Sequence, residues 1–158
     1  MDFFKLNHEA TSEDIKNYNY PNRKIGVIVH IKNDNGDILL QQRGSKSRDE
    51  NGLFEDVGGK FDDTDTSYKS AVIRELQEEV GEEAVIDIGD SVGIYHCFKN
   101  DINWVFIVYI GRYLSGEIKV MEPEKCLGYE FFKYEDAIKS DIVTDGAKFL
   151  MKSIMEEL

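Results

Sequence analysis

Basic residues are scarce in this chain. Its 158 residues carry 19 lysines and arginines against 31 aspartates and glutamates, a formal net charge of −12. Such a field repels nucleic acid, whose sequence-independent binding needs cations that neutralise phosphates, so DNA and RNA are poor general partners. A phosphate-bearing ligand would need a cation between itself and the acidic surface. Long apolar runs are lacking too. The longest, WVFIVYI at 104–110, is far too short to cross a bilayer and reads as a buried strand. The opening MDFFKLNHEA has neither a basic n-region nor a long apolar h-region, so no secretory signal is expected. Only two cysteines occur, Cys97 and Cys126, with no CxxC or Cys/His ligand spacing. They are expected as reduced, buried thiols of a cytoplasmic protein. Nor is there an internal repeat, a low-complexity tract or a Pro/Ser-rich linker. The expectation is one domain over 1–158, long enough for a proper core, with 1–22 as an arm or short helix over the body.

What is present is acid placed in a pattern. In RELQEEVG at 74–81, Glu75, Glu78 and Glu79 are separated by three and four residues, the spacing of neighbours on one helical face. The opposite pattern, Val72, Leu76 and Val80 with Ile73 beside them, marks a face for the core. An acidic helical face by itself is usually only solvated. Two unit charges about 4 Å apart repel by roughly 1 kcal/mol in water and roughly 4 at an effective dielectric of about 20. A hard divalent cation removes that penalty, and carboxylate oxygens are its natural ligands. The face therefore reads as a platform for Mg²⁺, with Mn²⁺ as the alternative, and for phosphate chemistry.

KIGVIVHI at 24–31 reads as a strand, the turn NDNG at 33–36 follows, and DILLQQR at 37–43 returns as its hairpin partner. GSKSRDENG at 44–52 is a loop. A helix is predicted from near Ser67 to Gly81, with Asp65, Thr66 or Ser67 as its cap. AVIDIGD at 84–90, VGIYHCF at 92–98, 104–110 and CLGYEFF at 126–132 read as strands, with KNDIN and LSGE as turns between some of them. A last amphipathic helix over 145–158 would bury Phe149, Leu150, Ile154 and Leu158. The fold class is α/β or α+β, helices packed on a mixed sheet.

The stretch GGKFDDTDTSYKSAVIRELQEEVG, Gly58 to Gly81, closely resembles the signature box of the Nudix hydrolases (MutT-like), and its RExxEExG half is matched without gaps. ILLQQR is similar to the family's second strand and MEPEKCLGYEFF at 121–132 to its late acidic loop and strand. Two departures stand out. There is one residue more than the family spacing between Gly59 and Arg74, so that Asp65 or Thr66 replaces the first box glutamate, and Glu82 takes the final aliphatic position. The resemblance implies an α/β/α sandwich whose box forms a loop–helix–loop. It implies a pyrophosphohydrolase that cleaves a P–O–P bond in a nucleoside diphosphate linked to a group X. Glu75, Glu78 and Glu79 would bind metal with the Gly58 carbonyl, joined by Glu122 or Glu124 from the late loop. Arg74 would hold the carboxylates, Asp65 would support them, and Arg43, Lys60 and Gly59 would meet the substrate. The base is left open among Glu75, Glu78 and a loop acid. EPEKCLGYEFF is similar to members acting on nucleoside triphosphates, with Tyr129 where those carry tryptophan.

Several residues have plainer readings. His30 and His96 lie in strand-like runs and are expected to pack, and His8 to face solvent. Trp104, Tyr95, Tyr109 and Tyr113 could stack on a base, although strand aromatics mostly fill cores. Glu122 and Glu124 flank Pro123 and could be merely solvated. The competing functions are a nucleotide-binding regulatory module without hydrolysis and RNA decapping, the latter opposed by the acidic charge. Isopentenyl-diphosphate isomerisation would need a catalytic cysteine motif that neither Cys97 nor Cys126 provides. A small diphosphate-containing molecule is the expected partner, no membrane is, and a homodimer is left open.

Overall fold

A computed structural model describes residues 1–45 and 50–157. Part of the loop expected at 44–52, and Leu158, lie outside the described residues. In chain order the elements are β1 (Asp2–Lys5), α1 (Ser12–Lys16), β2 (Arg23–Lys32), β3 (Ile38–Arg43), β4 (Phe54–Glu55), β5 (Val57–Lys60), α2 (Tyr68–Val80), β6 (Val85–Ile88), β7 (Gly93–Lys99), β8 (Ile102–Ser115), β9 (Cys126–Phe132), α3 (Tyr134–Lys139) and α4 (Asp145–Glu157).

These strands form one mixed sheet. Its spine is the parallel pair β2 and β8, in register from Arg23 beside Asn103 to Lys32 beside Arg112. Both are rich in Val and Ile, and β8 adds aromatics, as suits strands covered on both faces. The other pairings are antiparallel, with β3 and β5 on β2, β7 and β6 on β8, β1 on β7, and β4 and β9 on β3. Alternation along β2 divides the core. Val27 and Val29 pack with Val72, Leu76 and Val80 of α2, while on the other face Ile28, beside Val108 of β8, packs in the cluster of Leu150 and Ile154 of α4. Leu40 and Phe54 pack with Ala147 and Met151 of the same helix. The expected sandwich of helices about a mixed sheet is what forms. Among the described residues, no helix is long and apolar enough to cross a membrane.

The differences are local. The N-terminal stretch, expected as an arm or short helix, holds α1 and also an edge strand, because β1 pairs with β7 and the Phe3 ring fills the space above Gly93. α3, only six residues long, was not anticipated, being too short to show a period. β8 runs on to Ser115, beyond the apolar run that announced it, because β6 pairs with its far end. Ile73, assigned to the core face of the helix, is 48% exposed, and Ala71 is buried in its place. In α4 it is Met151 that is sealed, whereas Phe149 is half-buried against Tyr95.

Candidate active site

The centre of the site is the junction of β5 with α2. β5 pairs with β2, Gly58 opposite Ile28 and Gly59 opposite Val27. Neither glycine has room for a side chain. A Cβ on Gly58 would lie 2.3 Å from the Val27 carbonyl oxygen, and one on Gly59 would lie 2.3–2.4 Å from the Glu75 carboxylate. Glu75 can thus lie flat on the strand's backbone. It is 7% exposed, on the inner side of the helix with Ala71 and Leu76, so the acidic face begins below the surface.

Arg74 knots this region together. Its Nε and Nη2 each reach an Asp65 oxygen at 2.9 Å, a fork-on-fork pair. Nη2 also donates to the Lys60 carbonyl at 3.2 Å, and Nη1 to Glu75 at 3.0 Å and to Glu78 at 3.3 Å. The i,i+4 pair expected from the sequence is therefore present but is the weakest part of the knot. Of the three candidate caps, Ser67 caps α2, in a reciprocal arrangement with Ser70, and Asp65 does not. Asp65 is spent instead on Arg74, and on closing its own loop by accepting from the Asp62 amide at 2.9 Å. The hydrogen bonds from Arg74 hold the Asp65 carboxyl below its ordinary pKa, and Asp65 in turn raises that of Arg74.

At the far end of α2, Gly81 takes φ +87° and returns its N–H to the Gln77 carbonyl. Two later carbonyls are satisfied from outside the helix, Glu79 by the Tyr129 hydroxyl and Val80 by the Lys119 amide. Here the Glu79 carboxyl is pushed up to about 7, first by burial and then by the charges of Glu75 and Glu122, with Lys125 only partly opposing. Burial also raises Glu75.

These three carboxylates crowd one another without enough protein cation to balance them, and their hard oxygens are the donor set that suits Mg²⁺ or Mn²⁺. Glu75 and Glu78 are drawn onto Arg74, and among the described residues no three acids yet converge on a point. Their chemistry suits a divalent ion, which would have to draw them together. Glu122 is the late-loop acid near Glu79, while Glu124 is exposed and contributes its backbone carbonyl beneath Gly44.

Gly58, Gly59 and Lys60 also border a cavity of about 560 Å³ between the sheet and the start of α4. One wall is aromatic. Trp104 stacks on Phe106 with centroids 5.2 Å apart, Tyr95 lies against the same ring, and Lys24 reaches over Trp104. Tyr95 is thus both buried and part of the cleft. Tyr109 and Tyr113 bond elsewhere, to Glu9 and to the Gly116 carbonyl. Arg43 lines the cleft and pairs with Glu55, and the exposed Lys60 stands where β5 enters the acidic loop.

Two features escaped the sequence. His30, expected to pack, is buried but bonds Asp56 at 3.1 Å, and Asp56 lines the cleft. The sole signal was an acid inside an apolar stretch, LFEDVGG. Cys97 also lines the cleft and is only half-buried, whereas Cys126 is buried. Both are free thiols, raised in pKa by burial. His8 is exposed and His96 stacks on Tyr20, as expected.

Residues 22–153 match the family model for the NUDIX domain. The CTP pyrophosphohydrolase of Escherichia coli (strain K12) is 44% identical over 64 residues, which are 40% of this chain and 46% of that protein. The chain thus spans about half the length of that curated relative. The MutT protein from Methanosarcina mazei Go1 superposes with a TM-score of 0.74 at 26% identity, over 85% of this chain and 94% of that one. The MutT NUDIX hydrolase from Burkholderia pseudomallei does so with a TM-score of 0.65 at 28% identity, over 85% and 99%.

Proposed function

The chain belongs to the NUDIX domain family, and from that premise we propose that it hydrolyses a P–O–P bond in a nucleoside triphosphate, with Mg²⁺ or Mn²⁺ as its cofactor. The observation that carries this reading is the strip Gly58–Lys60, which has the Arg74-bound carboxylates on one side and the aromatic, cation-edged cleft on the other. The cavity's volume of about 560 Å³ suits a nucleotide-sized ligand. The name of the Escherichia coli relative, a CTP pyrophosphohydrolase, supports a triphosphate over other X groups.

Glu75, Glu78 and Glu79 would hold the cation, with Glu122 and the Gly58 carbonyl. When bound it neutralises phosphate charge and makes water a better nucleophile. The remaining work falls to the chain. Lys60 and Arg43 neutralise the phosphates, in a molecule whose net charge of −12 would otherwise repel them. Trp104 and Phe106 offer a face for the base. Arg74, braced by Asp65, fixes Glu75 and Glu78, either of which can take a proton from the attacking water, as can Glu122.

The test is a panel of nucleoside triphosphates, dinucleoside polyphosphates, nucleotide sugars and capped RNA, read as released phosphate or pyrophosphate with and without chelator. A triphosphate should give the highest kcat/KM, and chelation should abolish turnover. Highest activity on capped RNA would make the chain a decapping enzyme, and nucleotide binding without hydrolysis would make it a regulatory module.

A further inference from the structure

The cleft holds one group that phosphate chemistry does not need. Asp56 sits in its wall with only 4% of its side chain exposed, among Tyr95, Ala147 and Leu150, which are equally buried. The cations Lys24, Arg43, Lys60 and Lys99 line the same cavity, but none of them is bonded to Asp56. Its Oδ1 accepts from Nδ1 of His30 at 3.1 Å, and His30 is itself 1% exposed, so this side of the carboxylate is bonded within the core. Oδ2 has no hydrogen-bond partner among the described residues. The one sealed, unpartnered side-chain nitrogen or oxygen there is Oε1 of Gln41, so Oδ2 of Asp56 opens to the cavity.

A buried polar group left unsatisfied costs free energy, and a ligand that satisfies it gains that difference. An ionised carboxylate can only accept hydrogen bonds. It therefore favours a base edge that donates and disfavours one that presents a carbonyl. Cytosine and adenine carry an exocyclic amino donor where uracil, thymine and hypoxanthine carry a carbonyl oxygen.

We propose that Asp56 is the specificity-determining residue of the cleft and selects a nucleobase bearing an exocyclic amino group. The inference rests on the reading that the cleft takes the base of the nucleotide. Within that reading, His30 is a positioning residue, which keeps Asp56 in place and points its second oxygen at the ligand.

CTP and UTP are nearly isosteric and differ at this edge, as do ATP and ITP for a larger base. The wild-type protein should favour the amino member of at least one pair by about tenfold or more in kcat/KM. Asp56→Asn offers a donor as well as an acceptor and should bring that ratio to near one, mainly through KM. Binding of CMP, UMP, AMP and IMP, followed by Trp104 fluorescence, reads the same preference without turnover. If no triphosphate is hydrolysed but CMP still outbinds UMP, or AMP outbinds IMP, the hydrolase reading fails and this inference stands. Equal binding within both pairs, or no binding, overturns it. So does a preference that survives in folded Asp56→Asn. Should that variant not fold, the wild-type ratios decide alone.

Discussion

α2 and α4 are both thirteen residues long and pack on opposite faces of one sheet, yet they fill their buried positions differently. The inward positions of α4 are Ala147, Leu150, Met151 and Ile154, all apolar. Those of α2 are Ala71, Val72, Leu76 and Val80, with Glu75 among them. Folding alone accounts for α4, because burying apolar surface stabilises it and no polar group is stranded. It does not account for Glu75, since a buried carboxylate costs free energy unless it is paired. Arg74 supplies the pair, and Gly59 gives up its side chain to make the space. Where a helix departs from what packing prefers, and neighbouring residues are arranged to tolerate the departure, the chemistry is to be sought.

Opposite outcomes on the two helices would sharpen this contrast most. Glu79→Gln on α2 should leave urea unfolding nearly unchanged but lower kcat/KM by about 10²-fold or more, with weaker Mg²⁺ binding by titration. Met151→Ala on α4 should cost about 2–5 kcal/mol of stability, since its side chain is sealed, while the folded variant keeps its kcat/KM. Near-normal turnover in folded Glu79→Gln would remove the case for a metal platform on α2.

A smaller effect is expected at Gly59. Its Cβ would collide with the end of the Glu75 side chain, a flexible group that can move, so Gly59→Ala should fold. Glu75 must then leave the strand, and kcat/KM should fall by about tenfold with little change in melting temperature. A loss of stability without loss of activity would make Gly59 a packing glycine.

What the sequence disclosed, and what it hid, follows the same division. α2 and its ends were legible because the period, the cap candidates and Gly81 are all local signals. The strand pairs about NDNG and KNDIN were legible for the same reason. The box stood out because RExxEExG is contiguous. The Asp56–His30 contact was not legible, since it joins residues 26 apart that meet only when β2 and β5 pair. β1 is four residues long and becomes a strand only by docking on β7. Ile73 and Glu75 exchange their expected environments because apolar character alone does not decide burial, and the helix phase places Glu75 with Ala71 and Leu76.

The finest test concerns the loop between these two kinds of signal. Asp65 was open to two readings, a helix cap or a stand-in for the box's first acid, and the geometry removes the first by giving the cap to Ser67. What is left is a carboxylate that pairs both its oxygens with the Nε–Nη2 edge of Arg74. Asp65→Asn keeps the shape but can accept through only one oxygen, so about 1 kcal/mol of stability should be lost at pH 7, with kcat/KM down a few-fold as Arg74 loosens. The sign of the pH dependence follows from the depressed carboxyl of Asp65. Its contribution is complete above the ordinary carboxylate pKa of about 3.9 and is lost as pH falls through the lower, folded value. The stability gap between wild type and Asp65→Asn should therefore be full at pH 7 and narrow steadily below about pH 4 in urea titrations. If the gap is constant with pH and metal-dependent turnover is unchanged, Asp65 only closes its loop onto Asp62. In that case Arg74 holds the box glutamates without help from a first acid.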